Sequence, residues 1–247
     1  IGSRVERKED KKFLTGRGRY TADINLVNQT YAYFVRSPHA RAAISNVDIS
    51  KASKAPGVVK ILTGADLAKD KIGGLIAGWK IVSQDGSDMK VPTHPPLANN
   101  TVNYVGDHVA VVIAETLNQA KNAADLVRVD YKTLKAVVKT GDAMNSKPIH
   151  DGIDKNLCFD FGLGDKTKTD EAISKADKVI KIDLENNRLI PNAMEPRASI
   201  GNYNPSSEDL TLYTTNQNPH LTRLVLSAFC AIQPEHKFRV VAPDVGG

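Results

Sequence analysis

Residues 104–131 read YVGDHVAVVIAETLNQAKNAADLVRVDY, and this stretch decides the fold class. His108–Ala114 (HVAVVIA) is a compact run of β-formers after the turn-like Tyr104-Val105-Gly106-Asp107. That is the pattern of a buried strand. Thr116 can cap a helix whose Leu117, Ala120, Ala124 and Val127 recur at helical spacing. Strand-like runs follow over 127–131 and 136–138. The small alanines let the helix lie close to a sheet. A strand–helix–strand unit of this kind indicates a mixed α+β chain.

Working toward the N-terminus, residues 58–62 form a compact strand run before Thr63-Gly64. Residues 44–49 alternate apolar and polar, and 30–35 (TYAYFV) are rich in β-formers. Residues 48–55 read as a short helix begun by Ser50 and stopped at Pro56-Gly57. The first twenty residues carry seven Lys/Arg against three Asp/Glu, a solvated arm that turns at Gly16 and Gly18. Residues 69–96 are the least regular. They hold four glycines, three prolines and the only tryptophan, Trp79, and read as an extended connection with one strand near Trp79. Long loops of this kind are often functional.

Working toward the C-terminus, residues 140–165 lose periodicity, which marks a domain boundary. The pattern restarts with a helix over 170–176 and a strand over 179–184. Residues 198–203 and 210–214 read as a hairpin across Asn204-Pro205-Ser206. Asn218 is a good N-cap and Pro219 a good first helical residue. The helix is expected to bury Leu221, Leu224, Val225, Ala228 and Phe229, and to end at Gln233-Pro234-Glu235. Residues 238–241 form a last strand that runs through Ala242-Pro243-Asp244 into Gly246-Gly247.

Composition excludes several classes. The chain has 247 residues, 41% hydrophobic and 25% charged, with a formal charge of +5. This is ordinary soluble composition, so disorder and a disulfide scaffold are excluded. A mild positive surplus and 6% aromatic residues, with no basic–aromatic stripe, argue against a nucleic-acid partner. Cys158 and Cys230 lie far apart, so reduced buried thiols are expected, and no cysteine–histidine cluster suggests a metal. Neither a signal-peptide core nor a transmembrane segment is read, and a cytoplasmic protein is the default. Phosphate-loop, nucleophile-elbow and HExxH motifs are absent.

A few residues could carry chemistry. Gln217 stands between a strand and a helix N-terminus, where free N–H groups gather. Its neutral amide offers a donor and an acceptor. The bland alternative is a turn glutamine bonded to local backbone. Gly246-Gly247 directly follows a strand and would allow a ligand close to the backbone. The alternative there is a plain turn or a chain end. Glu195-Pro196-Arg197 reads as a structural ion pair or solvated turn, with carboxylate catalysis as the other option. His94 reads as a surface or packing residue, and His220 as a helix-surface residue that could also face the Gln217 turn. None of the six histidines is paired at metal-ligand spacing.

Several short motifs, taken in order, give a resemblance. The opening Phe13-Leu14-Thr15-Gly16 leads to Tyr20-Thr21-Ala22-Asp23-Ile24 and then to Val35-Arg36-Ser37-Pro38-His39-Ala40. Ala55-Pro56-Gly57-Val58, residues 62–67 and residues 104–110 follow. Met194-Glu195-Pro196-Arg197, residues 215–220 and residues 241–247 complete the series. In this order they resemble the large, molybdopterin-binding subunit of the molybdenum hydroxylases, the family of xanthine oxidase, aldehyde oxidase and aerobic carbon monoxide dehydrogenase. The resemblance implies an α+β chain. Its α/β-hammerhead domain with an N-terminal arm would span 1–145, and the incomplete first part of a molybdopterin-binding domain 146–247.

The resemblance also implies a function: oxidation of an aldehyde, a purine-like heterocycle or carbon monoxide, with water as oxygen source. Gln217 matches the glutamine that orients an oxo or hydroxo ligand of molybdenum. Gly246 and Gly247 match the first glycines of a loop beside the cofactor. The remaining cofactor contacts and the base glutamate would lie on a C-terminal molybdenum-binding polypeptide. FAD and iron–sulfur clusters would sit on partner subunits, and the chain alone would be inactive. The alternative is a non-catalytic assembly or docking module derived from that subunit. An incomplete second domain would leave strands between 179 and 241 without sheet partners. Their exposed apolar faces would then bind a complementary chain or self-associate.

Overall fold

The structure is a computed structural model that describes residues 2–186 and 189–247. The elements run α1 (Asp10–Leu14), β1 (Tyr31–Arg36), β2 (Ala42–Asp48), β3 (Val58–Thr63), α2 (Gly64–Lys69), β4 (Thr101–Val102), β5 (His108–Ala114) and α3 (Leu117–Ala124). They continue with β6 (Arg128–Thr133), α4 (Thr140–Ala143), α5 (Lys166–Ser174), β7 (Ser199–Asn204), β8 (Asp209–Thr214), α6 (Pro219–Ala228) and β9 (Phe238–Val241). Helices and sheets mix as the residue pattern predicts. The chain divides into two compact units. One comprises residues 1–76, 93–138 and 194–247, and the other 77–92 and 139–193.

In the first unit β5 is the centre of a three-stranded antiparallel sheet, β1-β5-β3. Both of its faces are covered, which is why its sequence is a continuous apolar run rather than an alternation. Val112 packs with Ala52, Ile61, Ala123 and Ala124, so this face meets α3. Val109, three residues away and therefore on the opposite face, packs with Ala42, Ala98 and Val102 of the second sheet, β4-β2-β6. The strand–helix–strand unit thus does not close within one sheet: β5 and β6 lie in different sheets. Thr116 caps α3 by accepting the Gln119 N–H at 3.2 Å. Ala120, Ala123 and Ala124 are buried while Leu117 is exposed.

The third sheet, β7-β8-β9, positions the candidate site. β7 and β8 form the expected hairpin, with Ser199 opposite Thr214. β8 and β9 are parallel, from Leu210↔Phe238 to Tyr213↔Val241, and α6 is their crossover. A parallel pair needs such a connection. Asn218 caps α6 by accepting the Leu221 N–H at 3.1 Å, with Pro219 in the first turn.

Several expectations are corrected. Residues 48–55 hold only a single 3₁₀ turn at Ala52–Lys54, because the Asp48 carboxylate engages the Ser50 N–H and Pro56-Gly57 follows at once. A helix that was not expected, α2, starts at Gly64, where the Thr63 N–H and hydroxyl both donate to the Asp66 carboxylate at 2.8 and 2.7 Å. The strand read near Trp79 is no more than an isolated bridge, Val82↔Asp88, and Trp79 is exposed. Residues 136–138 and 179–184 join no sheet. Ile180, Ile182 and Leu184 are at least 73% exposed, so the alternating pattern has no neighbour strand to bury it among the described residues. α6 ends at Ala228, short of Gln233, and buries none of its residues, because nothing described covers its outer face. Cys158 is exposed, not buried as expected, while burial of Cys230 pushes its thiol up.

The second unit holds α4 and α5 and a cleft of about 470 Å³ lined by residues that include Ser83, Asp85, Lys90, Cys158 and Asp160. No candidate site residue from the sequence lines that cleft. No helix among the described residues is long and apolar enough to cross a membrane.

Candidate active site

The parallel β8-α6-β9 unit brings the sequence-read residues to one edge. Thr215-Asn216-Gln217 leaves the carboxyl end of β8, and Ala242 to Gly247 leaves the carboxyl end of β9. In open sheets with parallel strands, ligands settle outside those carboxyl ends. The same edge carries the N-terminus of α6, whose first N–H groups lack helical partners.

The turn is fastened around Gln217 rather than through it. The Asn216 carbonyl oxygen accepts the Asn218 N–H at 2.6 Å, and the Asn216 amide donates to the Thr222 hydroxyl. Asn218 spends its own oxygen on the cap. Gln217, between them, is exposed, and no hydrogen bond holds its side chain among the described residues. Both neighbours are committed locally and the glutamine amide is free for a ligand. The alternative of a turn glutamine bonded to local backbone is not what the structure contains.

Gly246 lies against Glu195. The Glu195 carboxylate accepts the Gly246 N–H at 2.7 Å through Oε2 and the Thr215 hydroxyl at 3.1 Å through Oε1. A Cβ on Gly246 would sit 2.6 Å from the Glu195 Cβ, so only glycine fits there. The Gly246 N–H and carbonyl are therefore both taken up by Glu195. Gly247 follows at φ +132°, a conformation that favours glycine.

Asp244 anchors the same segment from its other side. Its carboxylate accepts from Lys12 Nζ at 2.5 Å and from the Arg19 N–H at 2.7 Å, and its own N–H donates to the Arg19 carbonyl at 3.1 Å. The Lys12 ammonium and then the Arg19 amide hold this carboxyl below its ordinary range. The basic arm thus has a job that its composition did not reveal.

Sequence reasoning missed Glu195 as a clamp. It read Glu195-Pro196-Arg197 as an ion pair or a turn, and Glu195 instead spends its carboxylate on Thr215 and Gly246. Neither Glu195 nor Arg197 takes part in an ion pair among the described residues. No local signal could have found this, since the partners lie 20 and 51 residues away. His220 lies exposed in the first turn of α6, and His94 is exposed with its ring edge-on to Tyr104.

Comparison with known proteins places the chain in a family. Residues 15–135 match the family described as aldehyde oxidase and xanthine dehydrogenase, a/b hammerhead domain. Residues 149–247 match the molybdopterin cofactor-binding domain. The chain belongs to the molybdenum hydroxylase family. Among relatives in this family, it is 35% identical to the nicotine 6-hydroxylase large subunit of Paenarthrobacter nicotinovorans over 100% of its own length and 29% of the relative's. It is 34% identical to the carbon monoxide dehydrogenase large chain of Afipia carboxidovorans, covering 100% of itself and 31% of that chain. The crystal structure of quinoline 2-oxidoreductase from Pseudomonas putida 86 superposes with a TM-score of 0.88 at 33% identity, again over all of this chain and 30% of the other. The chain therefore spans about 30% of the length of each of these three proteins.

The residues at this edge fit the cofactor that the family implies. Gln217 offers an unpartnered amide, and Gly247 an exposed backbone. No group of three or more His, Cys, Asp or Glu side chains gathers as a metal site among the described residues. The unpartnered Gln217 amide and the exposed Gly247 backbone are groups that can hold the organic part of a cofactor by hydrogen bonds and close backbone approach.

Proposed function

We propose that this chain forms the hammerhead domain (1–145) and the start of the cofactor-binding domain (146–247) of a molybdenum-dependent hydroxylase. The enzyme oxidises an aldehyde, a purine-like heterocycle or carbon monoxide with water as oxygen source. The observation that supports this reading is that Gln217 and Gly246-Gly247 both follow the carboxyl ends of the parallel strands β8 and β9. When bound, molybdopterin supplies the redox-active metal that accepts electrons from substrate. Gln217 offers the bound group a donor and an acceptor and so orients it. Gly246 and Gly247 admit it close to the backbone. Thr215, Asn216 and Asn218 hold the turn, so that the backbone at Gln217 is placed before the group arrives.

In this reading the base that activates the attacking oxygen comes from a C-terminal molybdenum-binding piece, which completes the site. Subunits with FAD and iron–sulfur clusters accept the electrons, and the assembly works in the cytoplasm. The test is to assemble the chain with the remainder of its subunit and its partners, and to follow incorporation of labelled water oxygen into product. Gln217→Ala should lower kcat at least tenfold while the complex still holds molybdenum. Unchanged turnover in that variant would remove the role given to Gln217.

A second reading, a non-catalytic docking module, draws on the exposed apolar residues of α6 and of 179–184. A free Gln217 amide has no use in such a module. An assembled complex that holds flavin and iron–sulfur partners but never molybdenum would favour it.

A further inference from the structure

We infer that Glu195 is a positioning residue, whose carboxylate keeps the Gln217 turn and the Gly246-Gly247 segment in register. This rests on the function proposed above and deepens it.

The β8–β9 ladder ends at Tyr213↔Val241. Beyond it the two strands carry their candidate site residues onward without pairing with each other. Glu195 supplies the bridge that the ladder no longer makes. Oε1 takes the Thr215 hydroxyl at 3.1 Å and Oε2 the Gly246 N–H at 2.7 Å. The Glu195 N–H also donates to the Gly246 carbonyl, at 3.4 Å. Thr215 is itself fixed, since its N–H donates to the Ala198 carbonyl at 3.0 Å and its hydroxyl oxygen accepts the Ala198 N–H at 3.3 Å. The carboxylate thus refers Gly246 to a rigid point on the sheet, two residues before Gln217.

The chemistry suits a bracket. A carboxylate has two acceptor oxygens in a fixed plane and can hold two donors at once. Hydrogen bonds to a charged acceptor are among the stronger ones in proteins, and Glu195 is only partly exposed. The Cβ space at Gly246 is closed by the Glu195 side chain, so the two residues are matched in shape as well as in charge. Asp244 repeats the device from the N-terminal arm, taking one backbone N–H and the Lys12 ammonium. The six-residue tail after β9 is thereby held through two carboxylates, Glu195 and its own Asp244, and the amide of Gln217 stays unspent.

The assembled complex is prepared in two forms, cofactor-free and cofactor-loaded, as wild type, Glu195→Ala, Glu195→Gln and Thr215→Val. Hydrogen exchange of the peptide covering 242–247 is read in the cofactor-free form. Molybdenum content and kcat are read in the loaded form. Glu195→Ala should raise exchange at Gly246 about tenfold, the loss expected for a hydrogen bond to a charged group. It should also lower molybdenum content and kcat severalfold, with KM little changed. Glu195→Gln keeps the shape and one acceptor oxygen and should restore most of both. Thr215→Val, which removes one donor, should fall between.

If exchange at Gly246 is the same in all four proteins, the bracket is wrong, whatever the activity. It is also wrong if Glu195→Gln is as impaired as Glu195→Ala with the same exchange rate. If the wild-type complex holds no molybdenum, the proposed function fails, and the exchange series in the cofactor-free form still decides the bracket. Should Glu195→Ala not fold, Glu195→Gln and Thr215→Val carry the same comparison.

Discussion

α3 and α6 begin alike and end differently. Each follows a strand, each is capped by a polar side chain that accepts an N–H of the first turn, and each has an apolar stripe at helical spacing. α3 buries Ala120, Ala123 and Ala124 completely or nearly so. α6 has no fully buried residue: its Leu221 and Leu224 remain 53% and 43% exposed, and Phe229 just beyond its end 49%. Small residues let α3 close onto the β1-β5-β3 sheet within this chain. Leu221 and Leu224 of α6 face outward and nothing among the described residues covers them, while Val225 and Leu226 are half-buried. An amphipathic stripe therefore states that a face is to be buried, without stating against what.

The sharpest way to break this comparison is to cut into the closed side. Val112 is fully buried between α3 and β3, so Val112→Ala should cost about 2 kcal/mol by lost burial and an imperfectly collapsed cavity. Thermal or urea unfolding of the chain measures it. A loss under about 0.5 kcal/mol would mean that the first core is looser than its packing indicates.

The two caps should respond equally, because capping is local and indifferent to what covers the helix. Thr116→Ala and Asn218→Ala should each cost about 1 kcal/mol. A much smaller loss for Asn218→Ala, in the same unfolding measurement, would show that α6 is not held as a helix by its own turn.

On the open side, Leu224→Ala should cost less than about 0.5 kcal/mol in this chain, the usual range for exposed positions. The same change in the assembled complex should cost more if a partner covers α6. Equal small losses in both settings would leave the face solvated.

The comparison also explains what could be read without coordinates. Strands β1, β2, β3, β5, β6, β8 and β9, the β7–β8 hairpin and both caps follow from patterns of a few neighbouring residues, so they were legible. Pairing between distant segments was not. Nothing in residues 108–131 says that β5 and β6 belong to different sheets, or in 210–241 that β8 and β9 run parallel. The alternation over 179–184 predicted a strand that the structure does not contain, because a strand needs a neighbour to pair with. For the site, Gln217 and Gly246-Gly247 were visible as types at suggestive places. Glu195 and the Lys12–Asp244 link were not, because their meaning lies in partners 20 to 232 residues away. α2 escaped because a glycine at its first position hid the Thr63–Asp66 pair that starts it.

The smallest effect concerns the arm that holds the tail of β9. Asp244 titrates below its ordinary range because Lys12 and the Arg19 amide favour the charged form. A carboxyl lowered in the folded state adds stability above its unfolded pKa, and loses it as pH falls through the folded value. The arm contact should therefore be indifferent to pH from neutrality down to the ordinary carboxylate range and loosen only below it. The ion pair is partly solvated, so the change should be local and weakened by salt. Amide exchange at Arg19, followed against pH, reads it directly. Lys12→Met should move the onset upward in pH, because the ammonium is the largest cause of the shift. An onset unchanged in that variant would assign the anchoring to the Arg19 backbone alone. The arm would then hold Asp244 by its fold, and its seven cations would be a solvated surface, as their composition first suggested.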